Sequence, residues 1–280
     1  MTAIAEDSGR RDWTGAIMRV SAIALVAIVW ISSGIFGAYI FAYYGGAIPA
    51  NTLEDWNSQL PRLFEAHTPA ASAGIGMHFF AGAVLLALGP IQLIAQVRAK
   101  APAVHRWIGR VYAFAAFAAG VGGLTFIAMK GTVGGWPMTI GFALYGVGMI
   151  VAAVQTVRHA MARRIDIHRG WEIRLFALAI GSWLYRMCYG FFYLIAGPQN
   201  PGHTPEFSGW FDYVMDFAFY VPPLIVAEMF VRARRGQASA AGRIGATAGL
   251  VTGAAFIGLA TFFFTLYGWG PAILARFGAA

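Results

Sequence analysis

The chain has 280 residues, 59% of them hydrophobic and only 11% charged, with a mean hydropathy of +0.63; a soluble domain carries about 25% charged residues, so a soluble globular protein is excluded. Aromatic residues at 15% exclude a disordered chain as well. The net charge of +8 arises from basic residues in short segments between apolar runs, where they orient a membrane protein, so no nucleic-acid partner is expected.

Seven apolar stretches, near 18–43, 72–96, 107–129, 137–157, 175–194, 211–231 and 244–266, are long enough to cross a bilayer core of ~30 Å as helices. They run on without the period-two alternation of barrel strands. The predicted class is all-α: a polytopic integral membrane protein with seven transmembrane helices, forming one membrane domain over 1–280.

The N-terminal MTAIAEDSGRRDW mixes acidic and basic residues, and the first span exceeds a signal core, so a retained anchor is expected rather than a cleaved signal. After the first span, Asn51 and Thr52 are candidate N-caps for LEDWNSQLPRLFE, where Leu53, Trp56, Leu60, Leu63 and Phe64 recur near helical spacing. This reads as a short helix lying on the membrane surface. A second loop, GPQNPGHTPEFSGW, has no period. Both loops contain His-Thr-Pro, at His67 and His203, near Glu65 and Glu206; a shared metal site is one reading and chance the other.

Orientation follows from the basic residues. Arg10, Arg11 and Arg19; Arg98, Lys100, Arg106 and Arg110; Arg158, Arg163, Arg164, Arg169 and Arg174; and Arg232, Arg234, Arg235 and Arg243 all fall on one side. Only Arg62, Lys130 and Arg276 fall on the other. The positive-inside rule then places the N-terminus in the cytoplasm and the C-terminus outside, in a bacterial inner membrane.

Spans two to five carry a faint repeat. Gln96-Val97-Arg98 precedes His105-Arg106-Trp107 and Arg110, and Gln155-Thr156-Val157-Arg158 precedes His168-Arg169, Trp171 and Arg174. Two tandem hairpins would form a four-helix core over 72–196, with peripheral helices at 18–43, 211–231 and 244–266. MHFFAGAVLLALGPIQL, HRWIGRVYAFA and the Asp166-Ile167-His168-Arg169 turn leading into WEIRLFALAIGSWLYR resemble the bacterial membrane-protein family called domain of unknown function 2306, over about 72–194. The resemblance implies a membrane protein and assigns no chemistry.

Polar residues inside the spans are the functional candidates, because a charge at the bilayer centre costs at least ~2.5 kcal/mol. His78, Arg186 and Asp216 lie at comparable depth in the outer half, so an Arg186–Asp216 pair beside His78 is expected. It is either a site or a packing device, with His78 bonded to a backbone carbonyl. Pro222 and Pro223 should kink the sixth span, and Glu228 should pair with Arg232. Gly249 and Gly253 could form a face for a partner helix.

On the inner side, His105 and His168 hold equivalent places in the two hairpins, as axial ligands of a b-type haem would, with Gly120, Gly122, Gly123 and Gly181 making room for the macrocycle. His78 is a further cofactor-binding candidate, but its counterpart in the second hairpin is Met138, so a second bis-histidine haem is not available. The alternative is that each His-Arg-Trp is an interfacial anchor. The single cysteine, Cys188, excludes a disulfide within the chain and a cysteine-based metal centre. The functional expectation is a haem-b electron-transfer protein with a membrane redox partner or quinone. The alternative is a non-enzymatic transporter or a lipid- or partner-binding subunit built on the Arg186 cluster.

Overall fold

A computed structural model describes residues 13–58, 62–197 and 200–276. Among them there are helices and no strand. The helices of nine residues or more are α1 (Trp13–Ile40), α2 (Pro69–Leu93), α3 (Pro102–Lys130), α4 (Gly135–Met161), α5 (Ile165–Ala179), α6 (Gly181–Ala196), α7 (Trp210–Ala218), α8 (Val221–Arg234) and α9 (Ala240–Phe264). Among the described residues six stretches are long and apolar enough to cross a membrane. The bent pair α5–α6, with 40° between its halves, makes a seventh, so every predicted span has its helix. The end bearing the 41–68 and 197–209 segments is the loop end, and the opposite end, rich in arginine, is the basic end.

The boundaries have local causes. Pro69 and Pro102 open α2 and α3, where a missing N–H costs nothing. Gly131 and Gly197 end α3 and α6 with φ of 70° and 74°, a region open to glycine. Pro90, inside α2, has no N–H to return to the Leu86 carbonyl. Ser33 of α1 supplies a donor there at 3.3 Å, and Trp30 Nε1 bonds the next carbonyl, Ala87, at 3.2 Å. The span thus keeps its backbone satisfied where no water is at hand.

Two spans are broken. Span five bends at Ile180–Gly181, where the Tyr145 ring packs against Gly181 and its hydroxyl donates to the Leu178 carbonyl at 2.8 Å. Span six stops at Ala218 and restarts at Val221, with Pro222 and Pro223 just beyond, where the kink was expected.

One apolar core, with Tyr112, Tyr145, Met149, Leu175 and Phe219, lies between α2, α3, α4, α5 and α7. A second, with Val29, Phe36, Tyr44, Phe79, Trp183, Ile257 and Trp269, joins α1 and α9 to α2, α5 and α6. The first and seventh spans therefore share a core with spans two and five. Trp107–Arg110 and Trp171–Arg174 form matching cation–π pairs at 4.9 and 5.1 Å, the structural counterpart of the sequence repeat.

Three expectations are corrected. The segment after α1 is no surface helix. Asn51, with φ of 56°, closes a short helix at its C-terminus, and residues 53–58 form a 3-10 turn whose Trp56 is 4% exposed. That ring packs on Tyr44, Phe79 and Gly76, and its indole N–H donates to the Tyr44 carbonyl. Leu60, within the expected helix, lies outside the described residues. Gly249 and Gly253 offer no partner face, because they pack against Val226 and Leu25 inside the bundle. Gly122 and Gly181 leave no room for a macrocycle: a Cβ at Gly122 would meet the Gly74 carbonyl, and one at Gly181 the Tyr145 ring.

Candidate functional site: a cationic cavity at the loop end

A cavity of about 790 Å³ runs from the loop end toward the middle of the bundle. Its walls are mainly apolar, with Phe36, Tyr39, Ile75, Phe79, Leu124, Phe126, Phe142, Met149, Phe264 and Trp269 among them. Among the described residues, the basic side chains lining it are Arg62, His78, Lys130, Arg186 and His203, and no Asp or Glu lines it. A volume in the ~300–1,000 Å³ range and apolar walls with a few convergent polar groups suit a small ligand.

Arg186 is the deep cation. One guanidinium nitrogen donates to the Ser182 carbonyl at 3.2 Å, and the guanidinium carbon stands 5.5 and 6.0 Å from the Phe36 and Phe79 ring centres. It forms no ion pair among the described residues. The expected Arg186–Asp216 pair is therefore absent. Both side chains lie near Tyr185, but Asp216 turns into the α4–α7 contact, where neither of its oxygens has a hydrogen-bond partner. Five N–H donors met by one carbonyl, the Tyr44 hydroxyl and two aromatic faces leave Arg186 open to an anion.

His78 joins Arg186 in the cavity, as depth predicted. Its Nδ1 lies 3.0 Å from the Ala119 carbonyl. Because a carbonyl only accepts, Nδ1 carries the proton, and in the neutral ring Nε2 is the lone-pair atom.

Two networks border the mouth. Glu65 accepts from Arg62 at 2.9 Å and Lys130 at 3.0 Å, with His67 at 3.5 Å. The Arg62 and Lys130 hydrogen bonds hold its carboxyl down to about 2 from an ordinary 4.5. Lys130 is 4% exposed there and also donates to the Arg62 carbonyl. The second network centres on Asp212, which accepts from Tyr189 Oη at 2.7 Å, His203 Nδ1 at 2.8 Å, Gly209 N at 2.9 Å and Thr204 N at 3.1 Å. Tyr189, His203 and Phe207 carry this network to the cavity wall. The two His-Thr-Pro histidines thus take separate carboxylates, His67 Glu65 and His203 Asp212, and no metal-holding group of three or more His, Cys, Asp or Glu occurs among the described residues.

The basic end is arranged differently. Glu228 bonds Arg232 at 2.7 Å, as spacing predicted, and also Arg174 across the bundle, which spacing did not reveal. His168 Nδ1 lies 2.9 Å from the Thr156 carbonyl, and His105 Nδ1 is buried without a partner. Neither histidine lines the cavity. Sequence reasoning missed Asp212, Tyr189 and Lys130 as site residues, and read His203 only as a candidate metal ligand with His67. The one available signal was a second carboxylate a single turn before Asp216.

The family model described as predicted membrane protein (DUF2306) matches residues 75–231. The chain belongs to that family. The match reaches further along this DUF2306 chain than 72–194, through span six, and takes in His78, Lys130, Arg186, His203, Asp212 and Asp216; the cavity wall from Phe36, Tyr39, Phe264 and Trp269 lies outside it. No curated protein and no solved structure matches the chain.

Proposed function

We propose that this membrane protein binds an anionic, largely apolar small molecule in the loop-end cavity, as a non-enzymatic transporter or binding subunit. The observation that carries this reading is Arg186, a guanidinium at membrane depth facing an apolar cavity with no carboxylate among the described residues to neutralise it. A cation so placed is costly unless a partner is supplied, and a bound anion supplies one. At the mouth two cations, Arg62 and Lys130, share the one carboxylate of Glu65, which leaves positive charge in excess along the way in. With the arginine-rich end in the cytoplasm, the cavity opens to the outside of a bacterial inner membrane.

The test uses hexadecanesulfonate, ionised at every working pH, and hexadecanol, its neutral twin, added to the protein in phosphatidylcholine nanodiscs. The sulfonate should raise the thermal midpoint of the wild type, hexadecanol should not, and Arg186→Gln should lose the rise while Arg186→Lys keeps part of it. Equal shifts with both probes, or an undiminished sulfonate shift in Arg186→Gln, would overturn the reading.

His78 favours a second reading. Haem b is a flat apolar molecule with two carboxylates and so falls within the proposed ligand class. An imidazole fixed through Nδ1 on a backbone carbonyl offers Nε2 as an axial ligand. His78, rather than His105 or His168, is then the histidine to test. Haemin added to the nanodiscs should give a shifted Soret band that His78→Ala removes; a band that survives the substitution rejects the ligand role.

A further inference from the structure

Span six places a carboxylate where nothing answers it. Pro222 and Pro223 have no N–H to return to the carbonyls of Ala218 and Phe219, so the helix stops at Ala218. Within that last turn Asp216 is fully buried, and neither carboxylate oxygen has a hydrogen-bond partner. Gly141 of α4 packs on its backbone so closely that an added Cβ would lie 3.1 Å from the Asp216 Cβ.

The titratable groups around it are Asp212 on the same helix, Tyr185 on α6 with Arg186 next to it, Tyr145 on α4, whose ring contacts Phe219, and Tyr220 past the break. None donates to it, and the Tyr185 hydroxyl faces Tyr189 instead. An ionised carboxylate in a dry site without donors carries a prohibitive desolvation cost, which a proton removes. Broken helices next to a mid-membrane ligand cavity are also where coupling ions bind in transporters.

We propose that Asp216 is a proton-binding site coupled to the cavity, so that the anion binds at Arg186 together with a proton on Asp216. The proton comes from the aqueous phase and adds to one carboxylate oxygen; no other bond changes. Neutral Asp216 leaves Arg186 to the ligand. Ionised Asp216 sets a negative charge behind the cavity wall, where Gly141 packs on its backbone and Phe142, Tyr145 and Tyr185 line the cavity, and so repels an anion there. By linkage, the bound anion raises the proton affinity of Asp216 by the factor by which the proton raises the affinity for the anion.

The proposal rests on the anion reading of the cavity, and two measurements keep the two apart. The first is hexadecanesulfonate affinity in nanodiscs from about pH 5 to about pH 9, for wild type and Asp216→Asn, with Asp216→Ser as a second neutral variant. His78 and His203 also line the cavity, so the deciding quantity is the ratio of affinities at each pH. Variant and wild type should agree at low pH, and the wild type should fall behind by about tenfold at high pH, within the usual range of coupling. A ratio constant across the range would overturn the coupling. The second needs no ligand: infrared difference spectra of the wild type at neutral pH should contain the C=O stretch of a protonated carboxylic acid that Asp216→Asn and Asp216→Ser lack. Failure of the sulfonate to bind any protein, with this band present, would reject the cavity reading and leave the proton site standing. Absence of the band would reject the proton site.

Discussion

Asp212 and Asp216 stand one turn apart on the same helix, both wholly buried, and the protein treats them in opposite ways. Asp212 lies where the helix meets the 197–209 loop, and it collects two backbone N–H groups, a tyrosine hydroxyl and an imidazole. Asp216 lies one turn deeper against α4 and collects nothing. Burial alone therefore says little about what a carboxylate does in a membrane protein. The supply of donors decides, and irregular backbone at the loop end is rich in donors where a regular helix has none to spare.

The sharpest way to break this contrast is to remove each carboxylate in turn. Asp212→Ala strands four donors in a buried network, and losing one partner of such a charged network costs on the order of 3–5 kcal/mol. Asp216→Asn exchanges one unanswered polar group for another and should cost about 1 kcal/mol or less. Thermal midpoints in the same nanodiscs measure both. Similar losses would mean that Asp216 has partners the geometry does not give it.

A second comparison concerns glycines within the spans. At Gly141 an added Cβ would meet the carbonyl and Cβ of Asp216, backbone against backbone, with no flexible side chain to give way. Gly141→Ala should therefore cost about 1–3 kcal/mol, as overpacking does, and should disturb Asp216 along with the helix contact. Gly34 on α1 has nothing within 4 Å of the same position. Gly34→Ala should stabilise by roughly 0.5–1 kcal/mol through the helix backbone alone. A loss at Gly34 would point to a helix packed there by a second chain.

The spans were legible in the sequence because lipid imposes long apolar runs on any helix that crosses it, and the Pro222–Pro223 break because proline removes donors. Depth was legible too, and it brought His78 and Arg186 to one cavity. What depth cannot supply is azimuth. Arg186 and Asp216 lie on spans that are each broken, at 180–181 and 219–220, and the direction a side chain takes past a break depends on packing such as Tyr145 on Gly181. The loop-end networks were hidden for a different reason. Their donors come from irregular backbone at Thr204 and Gly209, and Lys130 meets Glu65 from across the sequence, outside any helical spacing rule. Trp56 reads as an interfacial residue from its pattern, yet Gly76 leaves a space on α2 that its ring fills.

Glu65 supplies the smallest expected effect and the third case in the comparison, a carboxylate answered by cations instead of dipoles. Arg62 and Lys130 hold its carboxyl near 2 when folded, against an ordinary 4.5. A carboxylate depressed in the folded state contributes stability that is fully present above the unfolded value and is lost as pH falls through the folded one. The difference in thermal midpoint between wild type and Glu65→Gln should therefore be constant above about pH 4.5, shrink between about 4.5 and 2, and vanish below that. Salt should reduce it as well, since Arg62 is largely exposed while Lys130 is not. A difference that persists below pH 2 would show that Glu65 acts through its shape at the cavity mouth and not through its charge.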